Sequence, residues 1–219
     1  MTAIKKFVSK QEDPFTALAA KKHRFEVIVA QCMREILGSM GREFGLDELG
    51  PNFRETPERV ARAYCEIFSG LMANGEQVKE ILAKTFPAKS SEMITVGPIE
   101  AWSVCPHHFL PLKMQVWLAY VPKKKVLGLS KLARLAELLA KKPALQEDTT
   151  AEIAEALQNG LYPRGVACLI RGRHLCMEMR GVKKAAVTTT TALRGVFFRP
   201  SVREEFLASV RADVPRTDW

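Results

Sequence analysis

Two short windows roughly seventy residues apart restrict the folds open to this chain: Val104-Cys105-Pro106-His107-His108-Phe109 and Arg173-His174-Leu175-Cys176-Met177. Together they hold three of the four histidines and two of the five cysteines in 219 residues. If they serve one purpose, the fold must bring them together. Thiols and imidazoles clustered in this way suggest a divided metal site with spare imidazoles for acid–base work.

The surroundings of the windows predict how each is held. Met93 to Val96 and Ile99 to Trp102 read as strand, interrupted by Gly97-Pro98, which suggests a bulge or an edge. Leu112, Met114, Val116, Leu118 and Tyr120 alternate as a second strand, so the first window lies in the connection between two strands. Val166 to Ile170 reads as a buried strand leading into the second window. If extended backbone continues, His174, Cys176, Glu178 and Arg180 share one face, and Leu175, Met177 and Met179 turn into a core. Adjacent histidines in extended backbone point opposite ways, so one of His107 and His108 can bind metal while the other faces substrate. Cys105, His108 and Cys176 then make three ligands of a catalytic zinc site whose fourth position is left for water. Zinc there lowers the pKa of a bound water to about 7. His107 and His174 remain for proton transfer.

The rest of the chain supplies helices. Residues 1–24 are polar and basic without period and read as a loose arm. From Phe25, the stripe Ile28, Cys32, Ile36 with Val29, Met33 and Met40 predicts a helix ending near Gly41 or Gly45. Thr56-Pro57-Glu58 starts another, with Val60, Tyr64, Ile67, Phe68 and Leu71 on its apolar face. A connection over 72–91 has room for a short helix at Glu76–Lys84. A helix capped by Ser130 ends before Pro143, a second runs from Gln146 to Leu161, Val182 to Phe198 is a further strand region, and Arg203 to Arg211 is a peripheral helix. The expected fold is α+β, with N-terminal helices over 25–91 and a strand–strand–helix–helix–strand–strand domain over 92–219.

Composition narrows the function. No apolar run approaches the ~20 residues that span a bilayer, and nothing after Met1 has the apolar core of a secretory signal. Five cysteines without a disulfide framework fit a reducing cytoplasm. Cys32, Cys65 and Cys168 lie in apolar patterns and read as structural thiols. The net charge is +9, with the basic residues dispersed and no aromatic-plus-basic pattern of a single-strand binder. The charge alone does not choose between nucleic acid, a membrane surface and an anionic small molecule, and nucleic acid is not the expected partner. Several polar groups stay ambiguous. Gln146-Glu147 could read the edge of a purine or simply suit a helix start. Ser130, Lys131 and Arg134 could bind phosphate at a helix start, though such triplets are common. Arg59 and Arg62 fit a solvated helix face.

Thr56-Pro57-Glu58-Arg59-Val60-Ala61, Cys105-x-His107-His108, Gly128 to Arg134, Gln146-Glu147, His174-x-Cys176, Arg180-Gly181 and Thr188 to Thr191 together resemble the GTP cyclohydrolase I family, over about Phe53 to Arg211. The resemblance implies the tunnelling fold, with GTP as substrate and zinc on Cys105, His108 and Cys176. It implies attack of water at C8 of the guanine, release of formate and reclosure to 7,8-dihydroneopterin triphosphate. His107 and His174 would handle protons. Glu147 would anchor guanine, helped by Gln146. Arg59, Arg62, Ser130, Lys131, Arg134 and Arg180 would hold the triphosphate. It further implies a homo-oligomer, a decamer of two stacked pentamers with sites between subunits. The chain departs from the family pattern at Pro106, where glutamate is usual, at Met114-Gln115, and at Asp148.

Overall fold

The computed structural model describes residues 14–45, 50–73 and 75–213. The chain forms two compact units, Met1–Glu66 and Ile67–Trp219.

In the first unit, helix α1 runs Pro14–Phe44 and α2 runs Thr56–Ile67. Helix α1 begins inside the stretch expected to be a loose arm. Pro14 suits a first helical turn, and Ala17-Leu18-Ala19-Ala20 are strong helix formers even without a clear period. Residues 1–13 lie outside the described residues. Gly45 ends α1 in the left-handed region at φ 65°, its N–H donating to the Gly41 carbonyl at 3.1 Å. The helical period is right but its stripe is not the buried one. Ile28, Cys32 and Ile36 are exposed, and Ala30 and Leu37 are buried instead. An Arg34–Glu58 ion pair ties α1 to α2.

The second unit opens with a 3-10 turn, Ser69–Met72, so Leu71 falls outside the α2 helix that its spacing suggested. Helix α3 (Gly75–Ala83) follows, then β1 (Thr85–Pro87), β2 (Ile94–Val104), β3 (Pro111–Val121) and β4 (Lys125–Leu127). Helices α4 (Leu129–Ala140) and α5 (Gln146–Leu161) lead to β5 (Gly165–His174), the helical turn α6 (Leu175–Glu178), β6 (Val187–Gly195) and α7 (Pro200–Asp213). The main sheet is antiparallel throughout, in the order β2-β3-β5-β6, and β1 pairs with β4 in a small second sheet. This is the strand–strand–helix–helix–strand–strand arrangement expected. Strand β2 runs through Gly97-Pro98 with a register shift between Val96 and Ile99, the expected bulge. Ser130 does not cap α4: Gly128 occupies the cap position, without a side-chain bond.

Leu112, Met114, Val116, Leu118 and Tyr120 alternate onto one face of the sheet and are at most 1% exposed. They pack with Leu132 and Leu135 of α4 and Ile153 and Leu157 of α5. Each such side chain contributes about 1.5–3 kcal/mol by leaving water. The opposite face is covered too, at one end. Trp117, Ala119, Ala167 and Leu169 pack with Phe197 and with Phe206 and Val210 of α7. Helix α7 is therefore part of the core rather than peripheral.

Candidate functional site

The β2–β3 hairpin presents the first window. Val104 pairs with Pro111, leaving Cys105–Leu110 as the loop. Two main-chain bonds close it, from Cys105 N–H to the Leu110 carbonyl and from Phe109 N–H to the Cys105 carbonyl, each 2.9 Å. Phe109 is left-handed (φ 54°), and its ring meets Phe68 edge-on at 5.7 Å. Cys105 is buried, while His107 and His108 are exposed. From Cys105 Sγ, His108 Nδ1 stands at 3.7 Å and His107 Nδ1 at 3.9 Å.

Strand β5 delivers the second window beside the first, because Leu112, two residues beyond the loop, pairs with His174. The strand stops there. Leu175–Glu178 is a helical turn, so His174, Cys176, Glu178 and Arg180 do not line one extended face. Nor do Met177 and Met179 enter a core, since both are exposed. The Arg173–Glu178 ion pair bridges the reversal. Five extended residues would separate the two groups by roughly 16 Å, whereas Arg173 Nε donates to Glu178 Oε1 at 2.8 Å. That bond holds the Glu178 carboxyl below its usual range. The reversal swings Cys176 back towards Cys105. Cys105, His108 and Cys176 then offer ligand atoms that all lie within 4.8 Å of one another. Burial and the neighbouring Cys105 thiol raise the Cys176 pKa, and Arg180 opposes this weakly. Arg180 Nη1 lies 3.0 Å from His108 Nε2, which places it at the cluster.

His174 is half-buried, and burial lowers its pKa against the opposing influence of Glu147. Glu147 is exposed in the first turn of α5. Gln146 is placed differently from the base-reading expectation. Its side chain is 1% exposed and its amide is fully engaged. Oε1 faces His174 Nε2 at 3.1 Å, and the two Nε2 protons are shared among the Ile170 and Thr188 carbonyls at 3.1 Å and Thr190 Oγ1 at 3.0 Å. Thr150 and Thr190 complete this cluster. Reading the sequence missed Thr150, and the one signal available was the polar pair Thr149-Thr150 in an otherwise apolar helix stripe.

Ser130, Lys131 and Arg134 are not brought to this end of the sheet. The C-terminal end of α4 is the one at the metal cluster: Ala144 N–H donates to the Val104 carbonyl and Ser103 Oγ to the Lys142 carbonyl. At the other end, Gly128 N–H meets the Lys84 carbonyl and Leu127 N–H meets Tyr120 Oη. At about 1.5 Å per residue, Ser130 stands roughly 16 Å back along α4 from Lys141. Arg59 and Arg62 belong to the first unit, where Arg59 pairs with Glu55 at 2.8 Å and Arg62 lines a groove with His23, Glu26 and Arg34.

The donor set fits a metal. Tetrahedral sulfur and nitrogen ligands of zinc stand roughly 3.5–3.8 Å apart, close to the 3.7 Å between Cys105 Sγ and His108 Nδ1. Two thiols and one imidazole suit a borderline-soft ion. Fold and site thus define an α+β enzyme with a candidate metal centre at one end of an antiparallel sheet. The sequence model of GTP cyclohydrolase I matches residues 29–211, and the chain belongs to that family. GTP cyclohydrolase 1 of Streptococcus sanguinis (strain SK36) is 46% identical over 174 residues, covering 79% of this chain and 89% of that protein. The Campylobacter jejuni subsp. doylei protein of the same name is 42% identical over 192 residues, 86% and 95% of the two chains. Among solved structures, the archaeosine synthase QueF-Like in the apo form is similar at a TM-score of 0.40 and 16% identity, over 49% of this chain and 97% of that one. That likeness is too distant to bear on the site. Among the described residues, no helix is long and apolar enough to cross a membrane.

Proposed function

We propose that this enzyme opens the imidazole ring of GTP at C8, releases formate and recloses the product as 7,8-dihydroneopterin triphosphate. The observation that carries the reading is the convergence of Cys105, His108 and Cys176 within 4.8 Å, beside His107 and His174. Those three residues would hold zinc. Zinc bound by three protein ligands, with a fourth position open, supplies Lewis acidity and lowers the pKa of a bound water to about 7.

The chain's own residues do the rest. Glu147, exposed at the α5 start and electrostatically coupled to His174, accepts from the N1–H and exocyclic amine of guanine. His107 and His174 move protons as the ring opens and recloses. Arg180, already at the cluster, takes part of the triphosphate charge. Arg59 and Arg62 are further triphosphate candidates. Ser130, Lys131 and Arg134 sit at the wrong end of their own sheet to join them. A second copy of the chain therefore supplies this trio, consistent with a homo-oligomer of the decameric kind implied by the family. The expected setting is the cytoplasm.

Incubating the zinc-loaded protein with GTP should release formate and yield a pterin that fluoresces after oxidation. Zinc-loaded, folded protein that gives neither product would defeat the reading.

A further inference from the structure

We infer that Gln146 is a positioning residue that fixes the orientation and the Nε2–H tautomer of the His174 ring, leaving Nδ1 as the nitrogen open to a reaction partner. The inference rests on the proposed role of His174, but its structural half stands on hydrogen-bond bookkeeping alone. Which way the Gln146 amide points is decided by the Ile170 and Thr188 carbonyls, which can only accept. They require Nε2 on their side. Turning the amide over would set its oxygen against both carbonyls in a site 1% exposed. Oε1 must then face His174, and an oxygen that can only accept requires His174 Nε2 to carry a proton.

The surrounding hydroxyls agree with this direction. Thr150 Oγ1 donates to the Gln146 main-chain carbonyl at 2.6 Å. Its proton being spent there, Thr190 must donate to Thr150 across their 2.6 Å contact. Thr190 Oγ1 is then free to accept from Gln146 Nε2 at 3.0 Å. The two Nε2 protons are shared among three acceptors, and none of those contacts asks Nε2 to accept. Gly172 makes room for it: a Cβ there would lie 2.1 Å from Gln146 Oε1, so any other residue would push the amide off the imidazole. The network joins α5, β5 and β6 behind the ring, on the side away from solvent. Gln146 acts through His174 rather than on the base.

The test uses metal-loaded protein carrying 15N-labelled histidine, studied by solid-state NMR at a pH where the His174 ring is neutral. With four histidines in the chain, a His174→Asn variant assigns the signal. In the parent protein His174 should show a protonated Nε2 and an unprotonated Nδ1. In Gln146→Met and in Gly172→Ala that single tautomer should give way to a mixture. The kcat for GTP should fall roughly 10- to 100-fold, with KM within about twofold and metal content unchanged. A protonated Nδ1 in the parent overturns the inference. So does a Gln146→Met protein that keeps parental kcat and tautomer, or one that raises only KM, which would return Gln146 to the guanine. If Gln146→Met does not fold, the parent spectrum and Gly172→Ala still decide. A parent protein with the stated tautomer but no turnover of GTP sinks the functional reading and leaves the tautomer assignment supported.

Discussion

The two ends of the main sheet differ in what they complete. At the Val104–Leu112 end, loop, strand end and helical turn converge. Cys105, His108 and Cys176 offer ligand atoms within 4.8 Å of one another, His107 stands beside Cys105, His174 ends the strand register at Leu112, and Gln146 lies against the His174 ring. At the Tyr120–Val166 end, Ser130, Lys131 and Arg134 stand on the first turns of α4 with no comparable partner group brought to them by β2, β3 or β5. One end gathers the candidate metal ligands with Arg180 beside them, and the other gathers Ser130, Lys131 and Arg134. A helix bridging the length of a sheet cannot put both of its termini at one site, so if both groups serve the proposed GTP site, two copies must share it.

The largest effect expected is at the first end. Cys176→Ser should lose metal and lower turnover by at least ~10³-fold. A zinc-free Cys176→Ser protein with retained activity would contradict the ligand assignment. His107→Ala should keep its metal and lose about 10²–10⁴-fold in kcat. Loss of metal in that variant would instead draw His107, 3.9 Å from Cys105 Sγ, into the ligand set.

The second end is tested by Arg134→Ala, which should raise KM for GTP roughly 10- to 100-fold while leaving metal content intact. Mixing denatured Arg134→Ala and Cys176→Ser chains one to one and refolding them sharpens the comparison. If each site takes its ends from different copies, roughly a quarter of the sites regain both. No recovery would place the two ends in separate functions. The smallest effect concerns Glu155 of α5, which accepts from Asn159 and from Arg194 of β6 and is held below its ordinary pKa, first by Asn159 and then by Arg194. A depressed carboxylate adds stability above its unfolded pKa and loses it as pH falls through the folded value. Melting curves of Glu155→Gln should therefore diverge slightly from the parent near neutrality and converge in acid, with metal binding unaffected.

Much of this was legible in the residues. Alternation over Leu112–Tyr120 identified β3 because one face of that strand meets only apolar helix surface. The two Cys/His windows were visible as a cluster, and the strands flanking the first placed it in a hairpin. The course of the chain beyond His174 was not legible. Period two holds only while backbone stays extended, and the helical turn after His174, bridged by the Arg173–Glu178 pair, is one that spacing alone does not announce. The enclosure of Gln146 is hidden from the sequence for a related reason. A glutamine beside a glutamate at a helix start looks like a surface pair, and only the packing of β5 and β6 against that turn shows the amide to be enclosed. Helix α7 looked peripheral because its two buried anchors, Phe206 and Val210, are too few to make a stripe.

Pro106 stands where the family more often has glutamate. The bonds that close its loop use the N–H groups of Cys105 and Phe109, so a residue lacking an N–H takes nothing from that closure. Proline also confines Cys105 to extended backbone and removes freedom from the unfolded chain. The cost of ordering the cysteine and its neighbouring imidazole thus falls on folding rather than on metal capture. An ion bound to this loop would meet a preformed claw, with little further tightening of the chain around it.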